Sequence, residues 1–247
     1  MKNLKLKILK SSEVNAEIED QIMTCFNETF GQKMSKNYFD WKFRNNPFGE
    51  SIHILVYFEN LLISSRAFWR LDIEGTEAYQ CVDTSVLPNY HGMGVFRKST
   101  EYAINYFNLK IIYNYPNKKS FPAYLKLGWN QNRASHIKFN ITKIVAQKTP
   151  LINWTLEKLK WRFIDSPNCN YYSYKFEKSY IILRKKKFFY VSIGKIKVDL
   201  GLKNVTPKLL FSYDTSVKGV KIPFKKVLTL SKNYKMNSVP MFHFDMM

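Results

Sequence analysis

The 247-residue chain is 45% hydrophobic and 16% aromatic, enough to bury one large core or two small ones and too apolar for disorder by composition. Its net charge of +20 leaves two readings open: a solvated basic surface, or attraction of phosphate-bearing ligands. No stretch approaches the roughly 18 uninterrupted apolar residues of a membrane span. The surplus is uneven, with 20 Lys and Arg against 6 Asp and Glu in residues 148–247. Three scattered cysteines (Cys25, Cys81, Cys169) show neither even pairing nor metal spacing, so a reducing cytoplasm and no metal are expected.

Met1 to Lys10 alternates charged and apolar residues, which predicts a first strand and not a signal peptide. Ser11-Ser12-Glu13 is a candidate cap for a helix whose apolar face is Val14, Ile18, Ile22, Phe26 and Phe30, ended by Gly31. Ser35 opens a second helix with Tyr38, Phe39, Trp41 and Phe43, stopped by Asn46-Pro47. A hairpin is predicted from strands over 52–58 and 61–69, turning at Glu59-Asn60.

A strand over 79–87 leads into Pro88-Asn89-Tyr90-His91-Gly92-Met93-Gly94, a helix over 95–108, a short strand at 110–115 and a second helix ending at Gly128-Trp129. Strand, glycine-bearing loop and helix start are the parts of an anion site, since backbone N–H groups and the helix dipole converge there. Gly92 and Gly94 let the chain turn and approach a phosphate closely; a plain left-handed turn is the alternative. A strand over 135–145 closes this part, and Lys148-Thr149-Pro150 reads as a boundary. Domains of 1–147 and 148–247 are therefore expected. Trp41-Lys42-Phe43 with Pro47 recurs as Trp161-Arg162-Phe163 with Pro167, each copy ahead of strand-like segments. The second copy has no glycine loop, so a degenerate duplication without its own cofactor site is expected, with chance similarity of two amphipathic helices as the alternative. The apolar end, 241–247, is expected to dock.

The central stretch resembles the Gcn5-related N-acetyltransferase superfamily. Val86-Leu87-Pro88 followed by His91-Gly92-Met93-Gly94-Val95-Phe96 stands where that family has Arg/Gln-x-x-Gly-x-Gly/Ala, with His and Phe as departures. Asn117, Tyr124 and Gly128-Trp129 match its second signature without a gap. The resemblance implies an α/β fold, a mixed and mostly antiparallel sheet flanked by helices; the degenerate half-copy after it is expected from the echo alone. It implies acyl transfer from coenzyme A to an amine, with two parallel strands splayed to admit the pantetheine arm. Tyr124 would be the general acid toward the departing sulfur, or merely a packed helix residue. Amides of Met93, Gly94, Val95 and Phe96 would hold the pyrophosphate beside the Gly92 turn, with His91 facing it when protonated, or standing as an exposed loop histidine without a role. Backbone of Ser85, Val86 and Leu87 would pair with the pantetheine, and Asn117 and Ser120 would assist or cap the helix. Asp83, an acid in an apolar strand, is the candidate base, with a structural carboxylate as an equal alternative.

Tyr38–Gly49 and Tyr113–Ser120 further resemble a branch found with bacterial surface-polysaccharide genes, which includes N-acyltransferases for nucleotide-linked amino sugars. That implies an acetyl or small hydroxyacyl donor and a dTDP- or UDP-linked acceptor. Trp41, Arg44, Arg66 and Trp69 are the candidate acceptor pocket, against a core-packing role for both tryptophans. An aminoacyl-tRNA-dependent transferase of the peptidoglycan-bridge type and a nucleic-acid-binding module are the competing readings. No nucleic acid is expected as partner, because Arg184 to Tyr190, the only basic-aromatic run, is explained by a hairpin turn.

Overall fold

Lysines alternating with Leu4, Leu6 and Ile8 make β1 (Leu4–Lys10), a strand whose lysines point to solvent, as suits a sheet edge. The computed structural model describes residues 3–73, 75–108, 110–132, 135–140, 151–208, 210–212 and 220–234. Helix α1 (Ala16–Phe30) begins not at Ser11 but at Asn15, whose side chain accepts from the Ile18 amide. Ser11–Glu13 is a separate 3-10 turn. Gly31, at φ 62°, ends α1 as expected, yet Phe30 at the end of the predicted apolar face is 44% exposed. Ser35 caps α2 (Lys36–Phe39), which runs into a π-turn over Asp40–Arg44. That wider turn buries three consecutive residues, Trp41, Lys42 and Phe43, which one face of an α-helix could not do.

Strands β2 (Ile52–Phe58) and β3 (Leu61–Arg70) form the hairpin, with Glu59 at φ 54° in its turn. Then come β4 (Ala78–Val86), α3 (Val95–Phe107), β5 (Ile111–Asn114), α4 (Phe121–Lys126) and β6 (Asn130–Gln131). The later chain supplies β7 (Ser135–Asn140), α5 (Leu156–Phe163), β8 (Tyr171–Phe176), β9 (Ser179–Lys186), β10 (Phe189–Ile196), β11 (Leu210–Ser212), β12 (Val220–Val227) and β13 (Leu230–Lys232).

The chain divides into two units, Met1–Asn132 with Thr229–Met236, and Arg133–Leu228 with Asn237–Met247. The first holds a seven-stranded sheet in the order β1-β2-β3-β4-β5-β13-β6. Its ladders are antiparallel except for β4 and β5. Those two need a crossover, and α3 provides it. Ala103 and Phe107 of α3 pack on Ile54, Phe68, Tyr79, Cys81 and Ile112. Cys25 of α1 meets Ser85 of β4, so β4 is covered from both sides.

The second unit holds a six-stranded sheet, β12-β7-β11-β10-β9-β8. The strand expected over 135–145 thus does not close the first sheet: β7 pairs with β11 and β12. The closing place beside β5 is taken by β13, whose Leu230 is fully buried among Ile112, Tyr124 and Trp129. Residues 141–150 and the apolar end, 241–247, lie outside the described residues.

Candidate functional site

The parallel ladder of β4 and β5 has three pairs, Ala78↔Ile111, Tyr79↔Ile112 and Gln80↔Tyr113, and then stops. Beyond it β5 continues against β13, while β4 runs on to Val86 against β3 alone. From Cys81 onward β4 therefore presents an open backbone edge, among the described residues. Alternation decides which groups face that edge. The Leu87 amide donates to Ile63, and the register sets Ser85 against Ser65 and Val86 against Ser64. Ser85 and Leu87 thus turn their backbone groups to β3, and Val86 turns its own to the open side. Of the three residues expected to pair with a pantetheine, only Val86 is oriented to do so.

The loop after β4 turns through Gly92 and Gly94 at φ 77° and 72°, and a side chain at either would meet nothing within 4 Å but would be strained. Gly94 serves as N-cap of α3 without any side-chain cap. The first intrahelical bond runs from the Lys98 amide to the Gly94 carbonyl, so the amides of Val95, Phe96 and Arg97 have no partner within the helix. Free amides, the dipole of a 13-residue helix and an uncrowded approach fit a diphosphate. His91 differs from expectation. Its Nε2 donates to the Val86 carbonyl at 2.8 Å, so the ring folds back on the strand and only Nδ1 is left to face a phosphate.

At the mouth of the open edge stands Tyr124, 1% exposed. Its hydroxyl lies 3.3 Å from Cys81 Sγ, which is itself 3.6 Å from Thr84 Oγ1. The ring is held edge-on by Phe96 at 5.2 Å and Trp129 at 4.9 Å. Burial first, and the Cys81 thiol after it, push the phenol well above its ordinary pKa, against the opposing charge of Arg66. A protonated hydroxyl beside the open strand edge can donate to a leaving thiolate. Phe96, a departure from the family pattern, earns its place by packing under α3 against this ring. Asn117 closes the turn that leads into α4: its Oδ1 accepts from the Lys119 and Ser120 amides at 3.0 and 2.8 Å. Ser120 Oγ donates to the Asn117 carbonyl at 3.4 Å. Neither side chain points to the open edge through any of these bonds.

Asp83 is not the isolated buried acid that the strand pattern suggested. Both of its oxygens accept from Lys42 Nζ, at 3.0 and 2.8 Å, so neither is free to take a proton from an amine. Burial works against the charge on Lys42, but Asp83 outweighs it and holds the ammonium above its ordinary pKa. Asp83 also adopts φ 49°, at a bulge where Asp83 and Thr84 stand opposite Arg66.

The expected acceptor pocket does not assemble. Trp69 is fully buried, donates its indole N–H to the Lys42 carbonyl and meets Trp41 edge-on at 6.0 Å. Arg44 is taken up by Asp40, Glu19 and the Val14 carbonyl. Arg66, on the opposite face of β3, meets Thr100 and Phe96 of α3 and the Tyr124 ring. The sequence reading missed Lys42 and Cys81 as partners of the site residues. Alternation along β4 sets Cys81 on the face of Asp83 and so did not point to Tyr124; nothing local pointed to Lys42. Among the described residues no group of three His, Cys, Asp or Glu could hold a metal ion. No described helix is long and apolar enough to cross a membrane.

This geometry, an α/β sheet opened between two parallel strands with a glycine-capped helix beside the gap, is the fold of the Gcn5-related N-acetyltransferases. The chain is similar to a GCN5-related N-acetyltransferase from Kribbella flavida, with a TM-score of 0.61 and 11% identity over 93% of this chain and 70% of the other. It is also similar to a conserved protein of unknown function, a probable N-acyltransferase, from Enterococcus faecalis V583, with a TM-score of 0.58 and 11% identity over 92% and 72% of the two chains. No protein-family model and no curated protein matches the sequence.

Proposed function

We propose that the chain is a coenzyme A-dependent N-acyltransferase acting on the amino group of a nucleotide-linked amino sugar. One observation carries the acyltransferase reading: the Tyr124 hydroxyl stands at the Cys81 end of an open strand edge whose other end leads into the uncapped amides of α3. Coenzyme A, laid with its diphosphate on those amides and its pantetheine along Val86, would bring its thioester sulfur to Tyr124. The amine nitrogen attacks the thioester carbonyl carbon, the C–S bond breaks, and the amide forms. Tyr124 gives its proton to the departing thiolate, and the proton shed by the amine restores the phenol through solvent. No protein base is assigned, since Asp83 is committed to Lys42.

The acceptor rests on narrower support, the resemblance of Tyr38–Gly49 and Tyr113–Ser120 to polysaccharide-gene acyltransferases and a cationic surplus that attracts diphosphates. Donor and acceptor of this kind are cytoplasmic metabolites, consistent with three free cysteines. The second unit reads as a degenerate copy without a cofactor site of its own. The test is thiol release from acetyl-CoA and longer acyl-CoAs over a panel of nucleotide-linked amino sugars, beside calorimetry with free coenzyme A. Release that requires one sugar supports the whole reading. Coenzyme A binding without release on any sugar removes the acceptor, and absence of binding removes the acyltransferase.

A further inference from the structure

Arg66 is fully buried, and a guanidinium keeps its charge in a protein. Among the described residues only its Nη1 has a hydrogen-bond partner, Thr100 Oγ1, and the buried Nε and Nη2 have none. No carboxylate forms an ion pair with it among the described residues. Asp83, which the bulged register sets opposite Arg66, is bound to Lys42 on the other face of the sheet. The rings of Phe96 and Tyr124, with centroids 4.7 and 5.9 Å from the guanidinium carbon, ease the burial of charge but accept no N–H bond in the plane of the group. Leaving such a cation dry and unpaired is expensive.

The two vacant nitrogens share one edge of the guanidinium, the edge whose parallel N–H bonds match the two oxygens of a carboxylate. The guanidinium itself lies over the ring of Phe96, in the first turn of α3, and over the ring of Tyr124, the candidate acid. We propose that Arg66 reads a carboxylate carried by the transferred acyl group, so that the donor is the coenzyme A thioester of a dicarboxylic acid. This rests on the coenzyme A reading above, and it replaces the acetyl or hydroxyacyl chain that the sequence suggested.

The test is calorimetry of the full chain with free coenzyme A, acetyl-CoA, malonyl-CoA and succinyl-CoA, repeated for Arg66→Met and Arg66→Lys. The wild-type protein is expected to bind malonyl- or succinyl-CoA about 10-fold or more tightly than acetyl-CoA. Arg66→Met should erase that ratio while free coenzyme A binds as before. Arg66→Lys, which keeps a cation but loses the fork, should retain only a small part of it, and it carries the test if the methionine variant fails to fold. Free coenzyme A bound without discrimination among the acyl groups would overturn the inference and leave the acyltransferase standing. So would discrimination that survives in Arg66→Met, or an Arg66 dependence seen only with carboxylate-bearing acceptors. A chain that binds no coenzyme A at all would overturn both readings.

Discussion

A phenol whose burial raises its pKa stays protonated across the whole range in which an enzyme is ordinarily assayed. Tyr124 can therefore act as an acid toward a thiolate but not as a base toward an amine. Tyr124→Phe keeps the ring contacts with Phe96 and Trp129 and removes only the donor. It should lower kcat by about 100-fold or more and leave coenzyme A affinity, read by calorimetry, nearly unchanged. A second residue offers a pH test of stability. His53 is wholly buried between Phe39 and Phe43. Burial first, then the charges of Arg44 and Lys42, hold its pKa at about 3. Below about 6.5 the unfolded chain takes up a proton that the folded imidazole refuses. His53 therefore adds no acid penalty above that pH, and stability falls by about 1.4 kcal/mol per pH unit as pH drops toward 3. Denaturant titrations between pH 6.5 and 5, above most carboxylate titration, should show this slope in the native protein and a flatter one in His53→Phe. At this scale the sequence was most legible where spacing carries meaning. Asn117, Tyr124 and Gly128-Trp129 lie within 13 residues, and local chemistry fixes their relative places. The Lys42–Asp83 pair spans 41 residues, and only the assembled sheet brings it together.

The strand-level event that matters is the bulge of β4, where two residues oppose Arg66 of β3 and Asp83 adopts a left-handed backbone. Without the extra residue, strict alternation would carry Cys81, Asp83 and Ser85 to one face. With it, Cys81 faces Tyr124 beneath α3 while Ser85 meets Cys25 of α1. A bulge is invisible to a period-two reading, which explains why Asp83 looked like an unpaired acid in an apolar strand. The structure makes it the counterion of a lysine that is 1% exposed. Asp83→Asn, which tolerates the same backbone, should therefore destabilise the protein by about 2 kcal/mol, less than a fully buried pair because Asp83 retains some solvent contact. Adding Lys42→Met should restore much of the loss, since the uncompensated ammonium is then gone. Urea denaturation of the single and double variants measures both. A single variant as stable as the native protein would mean that the pair contributes nothing. The loop and α3 were legible for the opposite reason: glycines, helix start and apolar periodicity are local signals that agree.

Across the whole chain the repeat seen in Trp-Lys/Arg-Phe extends to topology. In the first unit three antiparallel strands, β2-β3-β4, are followed by a parallel partner, β5; in the second, β8-β9-β10 are followed by a parallel β11. The third strand is bulged in both, between Ser192 and Gly194 in β10 as between Val82 and Ser85 in β4. The echoed cations behave alike too: Lys42 and Arg162 are both buried and both lie over aromatic rings. Beside the parallel partner each sheet then receives an inserted strand, β13 between β5 and β6 in one and β7 between β11 and β12 in the other. Sequence order alone assigns β7 to the first half, because nothing in a six-residue strand names its neighbours. The consequence is testable on fragments. Residues 1–147 lack Leu230, which is fully buried, and without β13 the sheet loses the strand that joins β5 to β6. An unpaired β5 edge and a hole beside Tyr124 should leave that fragment unfolded or aggregated. Residues 1–132 carrying 226–236 on a flexible linker should recover cooperative unfolding. Near-UV circular dichroism and urea titration distinguish the two. Native-like, two-state unfolding of residues 1–147 alone would show that the first sheet is complete without the strand that the end of the chain returns to it.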